Sequence, residues 1–243
     1  MLVRSAIGAG LPLAGVGCAV SRDLLDRIAA ARDATPFDAS SLTEDYELGL
    51  TIAAMGGRTR FALVSEAAGG APVAVCAYFP ATFDAAARQK ARWLLGIALA
   101  GWDRNGWGTS RNLGEWWMRM RDRRAPLAML VLLAAYLALV AWMALYLLSQ
   151  AGVPMAPIDD GLAALLAING AFLLWRLAMR AAFVARRYGW AEGLRSMPRM
   201  LVGNIVAMAA ARRALVRYVA MLRGAPARWD KTAHQFPEAA RER

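Results

Sequence analysis

From Leu127 to Leu148 the chain runs through 22 residues without a single charge. Wound as a helix at about 1.5 Å per residue, such a run reaches roughly 33 Å, enough to cross a hydrocarbon core of about 30 Å. A second apolar run, Leu162 to Met179, is interrupted only by Asn169 and by Arg176 near its end, where a long side chain can snorkel. Residues 149–161 between them, SQAGVPMAPIDDG, hold no lysine or arginine. Arg119, Arg121, Arg123 and Arg124 precede the pair, and Arg176, Arg180, Arg186 and Arg187 close it. The asymmetry of basic residues predicts a membrane hairpin over 126–187, with both flanks and both termini cytoplasmic and the short loop outside.

The rest of the chain is read around that hairpin. Net charge is +11, nearly all of it arginine, since Lys90 and Lys231 are the lysines. A balance of that sign suits anionic lipid or phosphorylated substrates. Nucleic acid is excluded as a partner, because the arginines gather beside the apolar runs and no zinc-finger or RNA-binding aromatic signature accompanies them. Two cysteines, Cys18 and Cys76, and one histidine, His234, cannot build a Cys/His metal cage. Cytoplasmic flanks make them reduced thiols. The N-terminus imitates a signal peptide. Gly8, Gly10 and Pro12 break its apolar run, however, and Gly15 stands where a lipobox has a bulky aliphatic, so it reads as an extended segment and loop.

Local patterns fill in the first half. SRDLLDRIAAAR, with Leu24, Leu25 and Ile28 on one face, predicts a short amphipathic helix. LTEDYELGLTIAAMGG predicts a second, opened by a threonine and acids and stopped at Gly56 and Gly57. RTRFALVSEA and APVAVCAYFP predict two strands, and Thr82 caps a long helix running towards Trp102. Residues 113–125 form a basic segment bordering the membrane. Residues 188–228 carry apolar positions at helical spacing broken by Arg212, Arg213 and Arg217, which predicts an interfacial amphipathic helix or a third span. The tail 229–243 is polar and reads as a linker.

Two short motifs carry chemistry. Gln89, Arg92 and Trp93 are spaced i, i+3 and i+4, so one helix face displays an amide, a guanidinium and an indole. A guanidinium suits a diphosphate, and an indole offers a platform for a sugar ring. The plainer alternative is an interfacial helix, with arginine on lipid phosphate and tryptophan in the aromatic belt. Asp45, beside Glu44 and Glu47, is either a general base or an acid favoured by a helix N-terminus.

Taken together, TED at 43–45, QxxRW as QKARW at 89–93 and the glycine loop AGVGCAVSR ahead of them resemble the family 2 membrane glycosyltransferases of the cellulose- and hyaluronan-synthase type. The stretches LTEDYELGL, RTRF, YFPATFDAAARQKARW, PRMLVGNIVAMAAARRALVRY and RWDKTAHQFP look closer still to the bacterial phage-adsorption protein B branch of that family. The resemblance implies an α/β fold: the C-terminal, acceptor-side half of a GT-A-like domain over 1–112, followed by an α-helical membrane region. It implies Asp45 as catalytic base, with Glu44, Gln89, Arg92, Trp93, Gly15 and Gly17 binding substrate. It also implies a nucleotide-sugar donor, a glycan or lipid-linked acceptor, a divalent cation (magnesium or manganese), polysaccharide biosynthesis at the bacterial inner membrane, and an outer-membrane or periplasmic export partner. The sequence departs from that pattern in three ways. No Asp-x-Asp precedes or follows Asp45, so the cation's ligands are absent from this chain and the isolated polypeptide is expected to be inactive. Cys76 and Ala77 stand where Arg-Glu is expected before YFP. The chain also reads as the middle of a longer protein, without a cyclic-di-GMP-sensing module. A non-catalytic membrane scaffold that keeps the motifs as remnants is the alternative reading, and a cationic membrane protein with chance motifs is a third.

Overall fold

The structure, a computed structural model, describes residues 1–226 except Val16, Asp33, Ala34, Ala39, Ala71, Cys76, Ala77, residues 109–111 and Met155. Cys76, Ala77, His234 and the tail 229–243 therefore lie outside the described residues. The chain divides into two units, one built from residues 1–128 and 209 onward, the other from Met129–Met208.

In the first unit, the N-terminal stretch expected to be extended instead opens with a helical turn, α1 (Leu2–Ala6). Arg4 is drawn inward there, donating to the carbonyls of Gly10 at 2.9 Å and Met118 at 3.2 Å, and this folds the backbone around it. Helix α2 (Arg22–Ala30) packs Ile28, Leu24 and Leu25 against Leu48 and Ile52 of α3 (Glu44–Ala54), as the apolar spacing predicts. Gly49 on α3 is a glycine for a local reason. A Cβ there would run into the backbone of Leu11, Pro12 and Leu13, which crosses the helix at that point. Helix α4 (Phe83–Leu94) begins where Thr82 caps it, Oγ1 accepting from Ala85 N at 3.3 Å. It continues through a π-helical turn, Leu95–Leu99, into α5 (Ala100–Asn105). Ala91, Leu95 and Ala100 of this run bury against Leu42 and against Ala210 and Ala214 of α9 (Trp190–Leu222). Asp84 ties the start of α4 to the same helix by pairing with Arg213, and also takes Arg88 one turn on. The basic segment before the first apolar run is helical, α6 (Leu113–Arg123), capped by Asn112.

Neither expected strand is seen among the described residues of 58–67 and 71–80. Residues 58–66 and 72–80 are joined by one antiparallel bridge, Ser65 with Pro72, and by Val73 N donating to Val64 O at 2.8 Å. No strand occurs among the described residues, so the α/β expectation is not met there. The reason is packing. Leu63, Val64, Val73 and Val75 are each at least 60 % exposed, and a two-stranded hairpin without a third strand or a covered face is marginal.

In the second unit, α7 (Ala125–Gln150) and α8 (Asp160–Tyr188) are long and apolar enough to cross a membrane, and their apolar windows are not buried by protein. Asp159 caps α8, accepting from Leu162 N at 3.0 Å. Gly193 in the first turn of α9 lies so close to α8 that a Cβ would meet Ala181 O and Ala185 Cβ at 2.8 Å. Arg180 Nε donates to Ser196 O at 2.9 Å beside it, and Asn204 donates to the Tyr136 hydroxyl at 3.2 Å.

Candidate active site

The first turn of α3 carries the TED acids. Asp45 Oδ1 accepts from Tyr46 N at 2.7 Å, so the carboxylate is held at the helix start, where free N–H groups favour negative charge. Gly15, in the left-handed region at φ +72°, brings its backbone against the other oxygen; a Cβ there would lie 3.0 Å from Asp45 Oδ2. Thr43 is buried against Gly96 of the π turn, locking the TED segment onto the helix that carries QxxRW.

A cavity of about 1210 Å³ opens in front of Asp45. Gln89, itself buried, and Trp93 line it from α4, and Ile97 follows from the π turn. Phe79 meets the Trp93 indole edge to face at 6.2 Å and, with Tyr78 and Phe61, gives the cavity an aromatic wall. Asp45, Gln89 and Trp93, distant in sequence, therefore converge on one space.

Other expected site residues do not join them. Arg92 is half-buried and does not line the cavity. On a helix it lies about 100° from Trp93, and the cavity is on the Trp93 side. Glu44 Oε2 is buried and accepts no hydrogen bond among the described residues, and Glu44 does not line the cavity either. Gly17, at φ +61°, faces open space.

Three residues that the sequence reading passed over do line it: Tyr46, Asp122 and Arg4. The Tyr46 hydroxyl donates to Asp122 Oδ2 at 2.6 Å, and Arg4 pairs with the same carboxylate. Burial first, and then the Asp122 charge, push the Tyr46 phenol well above its ordinary pKa. The signal was present, because Asp122 is the one acid in the arginine-rich run RMRDRR. Two further buried pairs brace the site. Glu47 of α3 holds Arg104 of α5 and accepts from Ser41 Oγ at 2.7 Å. Glu115 of α6 holds Arg119 at 2.6 Å and accepts from Gly10 N at 2.5 Å.

The donor set does not suit a metal. Among the described residues no three of His, Cys, Asp and Glu cluster as a cation would need, and Asp45 faces the cavity without a second carboxylate beside it that is not already engaged by Arg4 and Tyr46.

The family described as glycosyl transferase family group 2 matches residues 1–179. The chain belongs to that family. Bacteriophage adsorption protein B of Escherichia coli (strain K12) is 34% identical to it over 266 aligned positions, covering 97% of this chain and 34% of that protein. Bacteriophage N4 adsorption protein B of Escherichia coli O157:H7 is similar to the same extent. The chain thus spans about a third of the length of the curated relatives it matches. No solved structure matches it. As a member of glycosyl transferase family group 2, the chain brings Asp45 of TED and Gln89 and Trp93 of QxxRW to one cavity.

Proposed function

We propose that this chain is the acceptor-side and membrane-anchored part of an inverting glycosyltransferase of the bacterial inner membrane. The supporting observation is that Asp45, Gln89 and Trp93 line a single cavity. In this reading Asp45 accepts the proton of an acceptor hydroxyl as that oxygen attacks the anomeric carbon of a nucleotide-sugar. The bond to the nucleoside diphosphate breaks on the opposite side, and the diphosphate leaves with the electron pair. Trp93 and the aromatic wall hold the sugar ring of a glycan or lipid-linked acceptor. Gln89 bonds one of its hydroxyls, and Gly15 lets the loop approach the base. Arg92, which the family resemblance assigns to the leaving diphosphate, sits on the flank of α4 away from the cavity and takes no part in transfer in this reading. The domain scheme that goes with this is a catalytic half over 1–112, a basic border over 113–125, a membrane hairpin over 126–187 with cytoplasmic flanks, and an interfacial helix over 188–228. Transfer requires a nucleotide- and cation-binding half besides this chain.

A chimera tests the reading: this chain replaces the matching third of the Escherichia coli K12 relative in cells lacking that protein. Bacteriophage adsorption and incorporation of labelled sugar into membranes are measured at equal protein amounts. Asp45→Asn keeps shape and hydrogen bonding but not proton acceptance, so incorporation is expected to fall by roughly 10²–10⁴-fold. A chimera that supports adsorption equally well with Asn at 45 assigns the chain to the non-catalytic scaffold class instead.

A further inference from the structure

A second cleft, of about 690 Å³, adjoins the Asp45 cavity and shares Leu2 and Phe61 with it. Arg58 and Arg60 line this cleft together with Ser5 and Thr59, and no acid does. Both arginines are exposed, and neither forms an ion pair or hydrogen bond among the described residues. The two hydroxyls are already oriented. Thr59 Oγ1 accepts from Leu11 N at 3.2 Å, and Ser5 Oγ accepts from Phe61 N at 3.3 Å. With their acceptor sides taken by backbone N–H groups and no acceptor of their own among the described residues, their protons are left to donate. The cleft therefore offers two guanidinium forks and two hydroxyl donors and no competing carboxylate.

We propose that Arg58, Arg60, Ser5 and Thr59 form a diphosphate-binding site whose ligand extends past Leu2 and Phe61 into the Asp45 cavity. A single carboxylate would occupy one fork. Two forks from alternate residues, with hydroxyls between them, match the oxygens of two adjacent phosphoryl groups. The adjoining aromatic cavity takes the rest of the ligand: the lipid of a prenyl diphosphate acceptor, in line with the acceptor role given to that cavity above, or, against that role, the nucleoside of a nucleotide. The site stands independently of the chemistry assigned to Asp45, because its test reads binding and not turnover.

The full chain in nanodiscs of zwitterionic lipid is titrated calorimetrically with inorganic pyrophosphate. Saturable binding that weakens as salt rises is expected. Arg58→Gln with Arg60→Gln should weaken it at least tenfold, with thermal unfolding unchanged. Arg60→Lys, which keeps charge and loses the fork, should fall between the two, and Arg195→Gln, in the second unit, should match wild type. Uridine diphosphate and geranyl diphosphate are then competed against pyrophosphate. Stronger displacement by the first assigns the site to a nucleotide, and by the second to a lipid-linked ligand. Equal pyrophosphate binding by wild type and the double variant overturns the proposal, as does a wild-type chain that binds none.

Discussion

A Cβ added at Gly15 would stand 3.0 Å from Asp45 Oδ2, so the loop ahead of TED is shaped around the carboxylate it faces. Gly15→Ala meets two obstacles, the close approach and a φ of +72°, whereas Gly17→Ala meets only its φ of +61° in open space. Left-handed backbone alone costs an L residue roughly 1–2 kcal/mol. Gly15→Ala should therefore lose at least as much stability as Gly17→Ala in thermal unfolding, and Gly15→Ala alone should cut sugar incorporation in the chimera by tenfold or more. Equal activity of the two variants would show that the carboxylate's position does not matter.

Asp122 of α6 accepts from Tyr46 of α3 and pairs with Arg4 of α1, which fastens these three helices together. Asp122→Asn leaves Arg4, whose side chain is 8% exposed, without its carboxylate. Breaking a buried pair in this way costs about 3–5 kcal/mol, at the lower end here because Asp122 retains some solvent contact. Denaturant unfolding of the detergent-solubilised chain measures it. A loss under about 1 kcal/mol, the size of an exposed pair, would contradict the burial.

Tyr46 makes that region alkali-sensitive. Its phenol is held above its unfolded pKa of about 10, so the folded state keeps a proton that the unfolded chain releases. That contribution to stability is fully present below about pH 10 and declines as pH rises towards the folded value. Tyr46→Phe should lower stability at neutral pH and flatten the alkaline limb of a stability–pH curve. An unchanged limb would mean that the phenol ionises as freely in the folded chain as in the unfolded one.

Reporter fusions address the hairpin. A periplasmic reporter joined after Gln150 should be active, and one joined after Arg187 silent, because residues 149–161 carry no basic side chain while both flanks do. The reverse pattern would invert the proposed topology.

The purified chain alone should consume no nucleotide-sugar with magnesium or manganese present, since the described residues offer no carboxylate cluster to hold the cation. Donor turnover by this polypeptide would move the nucleotide site into it.

Helices were legible because their signals are local. Leu24, Leu25 and Ile28, the Thr82 cap and the charge-free run from Leu127 each fix an element without help from distant residues. Strands were not, since Leu63 and Val75 alternate as strand residues do but have nothing to cover them. The site divides along the same line. The helix period brings Gln89 and Trp93 to one face, but only tertiary packing decides that the cavity lies on the side away from Arg92. Asp122 was missed because its partners, Arg4 and Tyr46, are both remote in sequence.

The π turn at Leu95–Leu99 bears on how this segment can change over evolutionary time. A π turn holds one residue more than an α-helix would over the same rise, which sets everything after it about 100° out of phase with what comes before. Gln89 and Trp93 keep the cavity side while Ala100 and Gly101 bury on the far side of that offset. Point substitutions between 95 and 99 leave the offset in place. Deleting one of those five residues would remove the extra residue and the offset together, so a regular helix would still set Trp102, Asp103 and Arg104 on their present faces, with Arg104 at Glu47 and Asp103 at Tyr218. The segment therefore tolerates the loss of one residue better than the gain of another, and descendants of this chain should include some in which it is one position shorter.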